Sequence, residues 1–430
     1  MQNTRAIVTV AWCLCALACP VYSQATQEET LPGANAHETT PGPLHSYLFA
    51  DWGGKRTRLA EKGVKFDFQY LNESFLNLKS EQKERFTSWD RVRGTVDIDL
   101  GAWIEKPGWS FHATALWQGG SDVGAYLGLL ADPSGIASVN TFRLDSWWVQ
   151  KQWLDERLTV RAGQFAEQDS YGDQNYGTSF VFEPMSYAFG NLATTQESYS
   201  PPSTPAFEIR FVPIHHVYVK SMVVSGEPSQ FSHNPTGLVP QFRGDPVSVS
   251  EIGFTSGKRT PAIRPADNAT TRRGYTGLYK FGASYNLQKF PEPASATLRS
   301  SNYLLYAMAN QALWRVDPRE ARGLDGTFGY DWSPPSVNRN NTALMAGLRF
   351  NEPLPIHLHN TMSLGYVQNS LSQQFLPPGM PAFKTEHGAE FNTLIVVGPF
   401  LWQPVIQYYA NAGGGVERAV VFGFRIKVEL

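Results

Sequence analysis

Charged side chains set at alternate positions of otherwise apolar stretches are the residues of this chain with the most chemistry to offer. Arg91, Arg93, Asp97 and Asp99 follow one another at even spacings, and Arg143 with Asp145, Arg161, and Glu208 with Arg210 repeat the pattern. Successive side chains of a strand point to opposite faces, so each set shares one face. Guanidinium forks and carboxylates of both signs provide many donors and acceptors for hydroxyl groups with little net charge, which suits a neutral polyol better than an anion. Trp103 and Trp147 are expected on that same face, where an indole stacks on the apolar side of a ring-shaped polyol. The competing use of the charges is a structural ladder that stiffens a wall without touching solute.

Signatures of covalent chemistry are missing from the sequence. It contains neither a Gly-x-Ser-x-Gly elbow nor His-Glu-x-x-His, and the stretch from Gly253 to Arg259 misses the phosphate loop in spacing and in its Ser/Thr. A Ser–His pair assembled from distant strands stays open, so a barrel-embedded hydrolase is one alternative. His215-His216 and the pair His357 and His359 have metal-compatible chemistry but no nearby carboxylate spacing, and read as loop or wall residues. No catalytic residue, cofactor or metal is expected.

Composition sets the class. In 430 residues, 36 Lys and Arg against 38 Asp and Glu leave a net charge of −2, without the basic excess that a nucleic-acid binder needs. Arg5, the apolar run from Ala6 to Ala18 and the small residues Ser23 and Ala25 form a secretory signal over 1–25. All three cysteines, Cys13, Cys15 and Cys19, fall inside it, so the exported chain must close its fold by packing and hydrogen bonds alone. Residues 26–50 carry Thr, Glu, Pro and Gly without apolar periodicity and read as a flexible segment. A short basic helix with Lys55, Arg56, Arg58 and Lys62 follows within 51–63, with Asp51 near its start and Gly63 as its stop.

From 64 to 430 the helical period gives way to alternation of period two, in about sixteen segments separated by Gly, Pro, Asn and Asp clusters. The stretch 90–105 reads as one strand with Val92, Val96, Ile98, Leu100, Ala102 and Ile104 on its apolar face. Segments of about 9–11 residues match tilted membrane-spanning strands better than the shorter strands of soluble sheets. Trp103 and Trp109, and Phe400 and Trp402, stand near strand ends as interfacial aromatics do. The expected fold is therefore an all-β transmembrane antiparallel barrel of about sixteen strands with a short N-terminal helix. A soluble secreted sugar-binding β protein is the alternative fold.

Three blocks resemble the OprB-type carbohydrate-selective porins of Gram-negative outer membranes. Asp51-Trp52-Gly53-Gly54 with Arg56, Leu59 and Gly63 is similar to that family's DWGG-x-R-x-x-L-x-x-x-G signature. Asp145 to Gln150 with Arg161-Ala162-Gly163-Gln164 resembles its paired strands ending in R-x-G-Q. Gln403-Pro404 with Gln407-Tyr408, Asn411, Gly413-Gly414 and Gly423-Phe424-Arg425 resembles its C-terminal block. The chain departs from the family in ending on Leu430 rather than an aromatic. The resemblance implies inward-folded loops, an outer-membrane lipid environment, a trimer or monomer, and passive diffusion of mono- or oligosaccharides. A general, non-selective porin is the alternative. In such a barrel Arg91, Arg93, Asp97, Asp99, Trp103, Arg143, Asp145, Trp147, Arg161, Glu208 and Arg210 become candidates for lining the pore or contacting solute.

Overall fold

The computed structural model describes residues 47–167, 170–172, 179–186, 202–226, 230–257, 275–292, 297–318, 320–356, 358–375 and 385–430. The expected signal segment, most of the flexible segment and His357 lie outside them. The strands are β1 (Val64–Lys79), β2 (Phe86–Ile98), β3 (Trp109–Gly120), β4 (Thr141–Trp153), β5 (Leu158–Phe165), β6 (Thr204–Ile214), β7 (Val217–Val224), β8 (Val247–Ser256) and β9 (Gly277–Asn286). After the small hairpin β10 (Phe290–Glu292) and β11 (Thr297–Arg299) come β12 (Asn302–Arg315), β13 (Gly323–Trp332), β14 (Asn340–Asn351), β15 (His359–Leu371), β16 (Thr385–Val397), β17 (Phe400–Ala410) and β18 (Arg418–Glu429).

All except β10 and β11 form one closed antiparallel barrel in chain order, with β18 pairing back onto β1. Alternation sorts the two faces as the sequence demands. On β6, Phe207, Ile209 and Phe211 are 51%, 42% and 40% exposed on the outer wall, whereas Glu208 and Arg210 are 5% and 6% exposed toward the lumen. Short connections such as 154–157, 215–216 and 398–399 mark the periplasmic end, and longer ones such as 121–140 mark the extracellular end. Near the periplasmic end Trp402 contacts Phe400 and Phe424 at ring-centroid distances of 6.4 and 5.7 Å on the outer face, an aromatic patch of the interfacial kind.

The apolar core lies inside the barrel. Val123 and Leu127 from one inward segment and Phe180, Phe182 and Met185 from another pack against Phe75, Met345, Val367, Val405 and Tyr409 of the wall. The facing pair Gly347 and Gly365 makes room for them, because a Cβ at either position would stand 2.6 Å from the Met185 side chain.

Two local expectations are corrected. The stretch 90–105 is not one strand: β2 stops at Ile98, and Leu100–Ile104 form a short helix whose N-cap, Asp99, accepts a 3.1 Å bond from the Ala102 amide. Capping satisfies an orphan amide that continued pairing would otherwise have to serve, and it turns the chain before Pro107. The segment expected to be mobile up to residue 50 is also in place from Tyr47, which is buried. The basic helix forms at Lys55–Glu61, and in its first turn the Thr57 amide donates to the Asp51 carboxylate at 2.8 Å.

Candidate functional site: the lumen wall and its inward loops

Alternation brings eight of the expected residues to the lumen, in two groups of different character. The first is on β2. Arg91, Arg93 and Asp97 lie half-buried along one face with Thr95 between them. Arg91 donates from Nε to Gln118 Oε1 at 2.8 Å and from Nη2 to the Ile136 carbonyl at 3.3 Å, tying the wall to the inward segment. Asp97 hydrogen-bonds His112 Nδ1 at 2.7 Å, and its side chain keeps 45% exposure. Thr95 and Thr114 share a bond of 3.0 Å. This is a strip of donors and acceptors open to water.

The second group is buried. Arg143 and Asp145 form a 3.1 Å pair, each 1% exposed, and Asp145 also accepts the amide and hydroxyl of Ser203 at 3.2 and 3.1 Å. Arg161 pairs with Glu208 at 3.0 Å, and Glu208 takes the Ser170 hydroxyl at 2.6 Å. The Arg161 guanidinium also sits 4.3 Å from the Phe165 ring centre and 5.3 Å from that of Trp148. Arg210 lies 5.4 Å over the Tyr218 ring. Carboxylates and guanidinium groups sealed this far from water persist because each has a partner.

Three expected residues are elsewhere. Asp99 caps the short helix at the barrel's end, and Trp103 on that helix is 55% exposed, donating from its indole to the Lys62 carbonyl at 2.8 Å. Trp147 points outward, and Trp148 takes the inward place. The cause is a bulge. Thr114 faces Ser146 while the next residue, Ala115, faces Leu144, so Asp145 is an extra residue and the alternation slips by one. Trp148, 5% exposed, then stacks on His112 with ring centres 4.9 Å apart and planes 8° apart.

Other lumen residues were not singled out from the sequence, and they hold the inward segments in place. Glu251 accepts Tyr218 and Tyr306 hydroxyls at 2.7 Å each and the Gly172 amide at 3.2 Å, and pairs with Lys220 at 3.2 Å. Glu390 accepts the amides of Val181 and Phe182 at 2.9 and 2.7 Å, and Glu386 those of Ala131 and Gly413 at 2.8 and 2.6 Å. Glu73 binds the Ser134 hydroxyl at 2.6 Å and Arg425 Nε at 2.7 Å, while Arg425 Nη1 holds the Phe180 carbonyl at 2.8 Å. Together these carboxylates clamp both inward segments to the wall. A signal for them exists in the sequence: single charges inside apolar strands, such as Lys220 among Val219, Met222 and Val223 and Arg425 between Phe424 and Ile426, are costly unless they face a polar interior.

The inward segments meet each other where the Glu183 amide donates to the Asp132 carbonyl at 3.0 Å. Burial, reinforced by Asp122, pushes the Glu183 carboxyl up to about 7 and holds Asp132 well above the usual carboxylate range. Of the histidines, His215 and His216 form the β6–β7 turn, and His359 Nδ1 lies 3.7 Å from Glu352. Among the described residues no three His, Cys, Asp or Glu are grouped so as to hold a metal ion.

Comparison with known proteins gives the same architecture. A curated relative, Porin B of Pseudomonas aeruginosa, is 24% identical over 449 residues, covering 92% of this chain and 94% of its own length. The high-pH structure of Pseudomonas putida OprB superposes with a TM-score of 0.80 at 17% identity, covering 90% of this chain and 98% of that one. The low-pH structure of the same protein gives 0.58 at 16% identity and the same coverage. The family model for carbohydrate-selective porins of the OprB family matches residues 83–430. The chain, a closed barrel with a polar lumen narrowed by clamped inward loops, belongs to the OprB family of carbohydrate-selective porins of Gram-negative outer membranes.

Proposed function

We propose that sugars crossing this porin are handled by the β2 strip, with Arg91, Arg93 and Asp97 as solute contacts, and that the buried group of Arg143, Asp145, Arg161, Glu208 and Arg210 holds the constriction in shape. The observation that carries this reading is the accessibility of Asp97 beside His112, against the near-complete burial of the second group. A hydroxylated solute sheds water as it enters a narrow lumen, and half-exposed guanidinium and carboxylate groups replace those hydrogen bonds at little net charge. Trp148 supports the strip from behind rather than stacking on solute, because His112 covers one face of its ring. The chain reaches the outer membrane through cleavage of its leader near residue 25, and a monomer suffices for transport because each barrel encloses its own lumen.

Single-channel conductance in planar bilayers, titrated with glucose, maltose and a neutral amino acid, tests the assignment. Arg93→Ala and Asp97→Asn should each weaken sugar block several-fold, on the order of 1 kcal/mol per lost hydrogen bond. Unchanged block in both variants removes the strip from the solute path. Steps indifferent to every sugar would make the channel a general porin.

A further inference from the structure

The ring closes where β18 pairs back onto β1, and this closing seam is staggered at one end. Pairing between β1 and β18 begins at Gln69 opposite Glu429, whereas β1 already pairs with β2 from Val64. Residues 64–68 therefore overhang the end of β18 and present backbone groups on an edge that no strand covers. An uncovered edge is both a place for pairing to fray and a template for wrong partners. It sits at the seam where the first and last strands meet.

The segment before β1 covers this edge, and Arg56 is its centre. Nη1 donates to the Phe66 carbonyl on the overhang at 2.9 Å, and Nη2 donates to the Leu430 carbonyl just past β18 at 2.8 Å. One planar guanidinium thus spans both sides of the seam, joining residues 374 apart in sequence. Its carbon lies 3.7 Å from the Tyr47 ring centre and 4.5 Å from that of Trp52, and the residue is 7% exposed. The neighbouring backbone follows suit: the Leu48 amide donates to Glu429 and the Leu430 amide to Phe68, both at 2.8 Å. Gly54, at φ +84°, lets the chain turn from Trp52 into the helix that carries Arg56.

We propose that Arg56 is a clasp that locks the barrel closed at its β1–β18 seam, engaging only once β18 has arrived. The clasp acts on closure and on resistance to opening, not on the solute path.

Hydrogen exchange of the full chain, refolded in detergent and compared region by region, tests this. In Arg56→Ala, amides of 66–71 and 426–430 should exchange about tenfold faster while β6–β8 keep their rates, because loss of an edge contact opens structure locally. Arg56→Lys, which keeps the charge but loses the rigid planar fork that reaches both sides of the seam, should fall between. A disulfide across the seam at the facing positions Tyr70 and Val428 should restore protection to Arg56→Ala. Equal acceleration everywhere, an Arg56→Lys protein indistinguishable from the parent, or failure of the disulfide to restore the seam would each overturn the clasp.

Discussion

Two stretches of the lumen wall carry the same alternating charges and put them to different uses. On β2, Arg91, Arg93 and Asp97 remain half-open to water, whereas on β4 to β8 the charges are sealed: Arg143 and Asp145 beside Ser203, and Arg161, Glu208, Lys220 and Glu251 where Ser170, Tyr171 and Gly172 lie against the wall. The difference comes from the loops rather than the strands. Over β2 the inward segment touches the wall through single bonds such as Arg91 to Ile136, but over β5 to β8 the other segment lies against it and excludes water. Alternation places a charge in a lumen, and coverage decides whether the charge meets solute or holds structure.

The largest effect that would break this contrast is expected in the sealed region. Lys220→Met takes from Glu251 the lysine it pairs with at 3.2 Å, in a site where both side chains are fully buried and Lys280 is the other nearby cation, and should destabilise the barrel by roughly 3 kcal/mol. Urea titration followed by gel mobility of the unheated protein measures it; a loss below about 1 kcal/mol, the level of an exposed pair, would make the network no different from the β2 strip. Next comes the tryptophan pair. Trp148→Ala removes a buried ring packed on His112 and should cost roughly 3 kcal/mol and change conductance, while Trp147→Ala on the outer wall should leave conductance alone. The reverse result would remove the bulge at Asp145.

A smaller effect sharpens the role of the loops. Glu183 binds its proton more tightly in the fold, at about 7, than the ordinary 4.5, so the contact between the inward segments gains stability as pH falls from about 7 toward 4.5 and loses it above 7. Current interruptions should be frequent at pH 8 and rare at pH 5, and Glu183→Gln should flatten the profile. The smallest effect belongs to Asp145→Asn set beside Asp97→Asn. Sugar block should stay unchanged in the first and weaken in the second, and equal weakening would erase the distinction between the two walls.

The clasp at the seam extends the same lesson to the barrel's end. A basic residue in the short helix looks from sequence like part of a solvated face, yet Arg56 is buried between two aromatic rings and bonded to both sides of the closure. Its neighbour Arg58, in the last turn of the same helix, is exposed. Residue type does not separate the two, and although the DWGG-x-R block singles out Arg56, only the arrival of β18 gives it its place.

What the sequence determined by itself is what depends on near neighbours. Period-two alternation, turn residues and the apolar or polar nature of each face are local properties, so barrel class, strand count and the inward placement of Arg91, Asp97, Arg161 and Glu208 follow from them. The blocks around Asp51, Asp145 and Gln403 pointed to the family for the same reason. The tertiary structure alone decided the rest. A single extra residue at Asp145 exchanged Trp147 for Trp148, a cap at Asp99 ended β2 and carried Trp103 away from the lumen, and inward loops set which charges stay wet. The bulge and the loop coverage turn on contacts between residues far apart in the chain, whose balance of desolvation against pairing no local pattern encodes, while the Asp99 cap is a three-residue contact hidden inside a stretch that alternates like a strand.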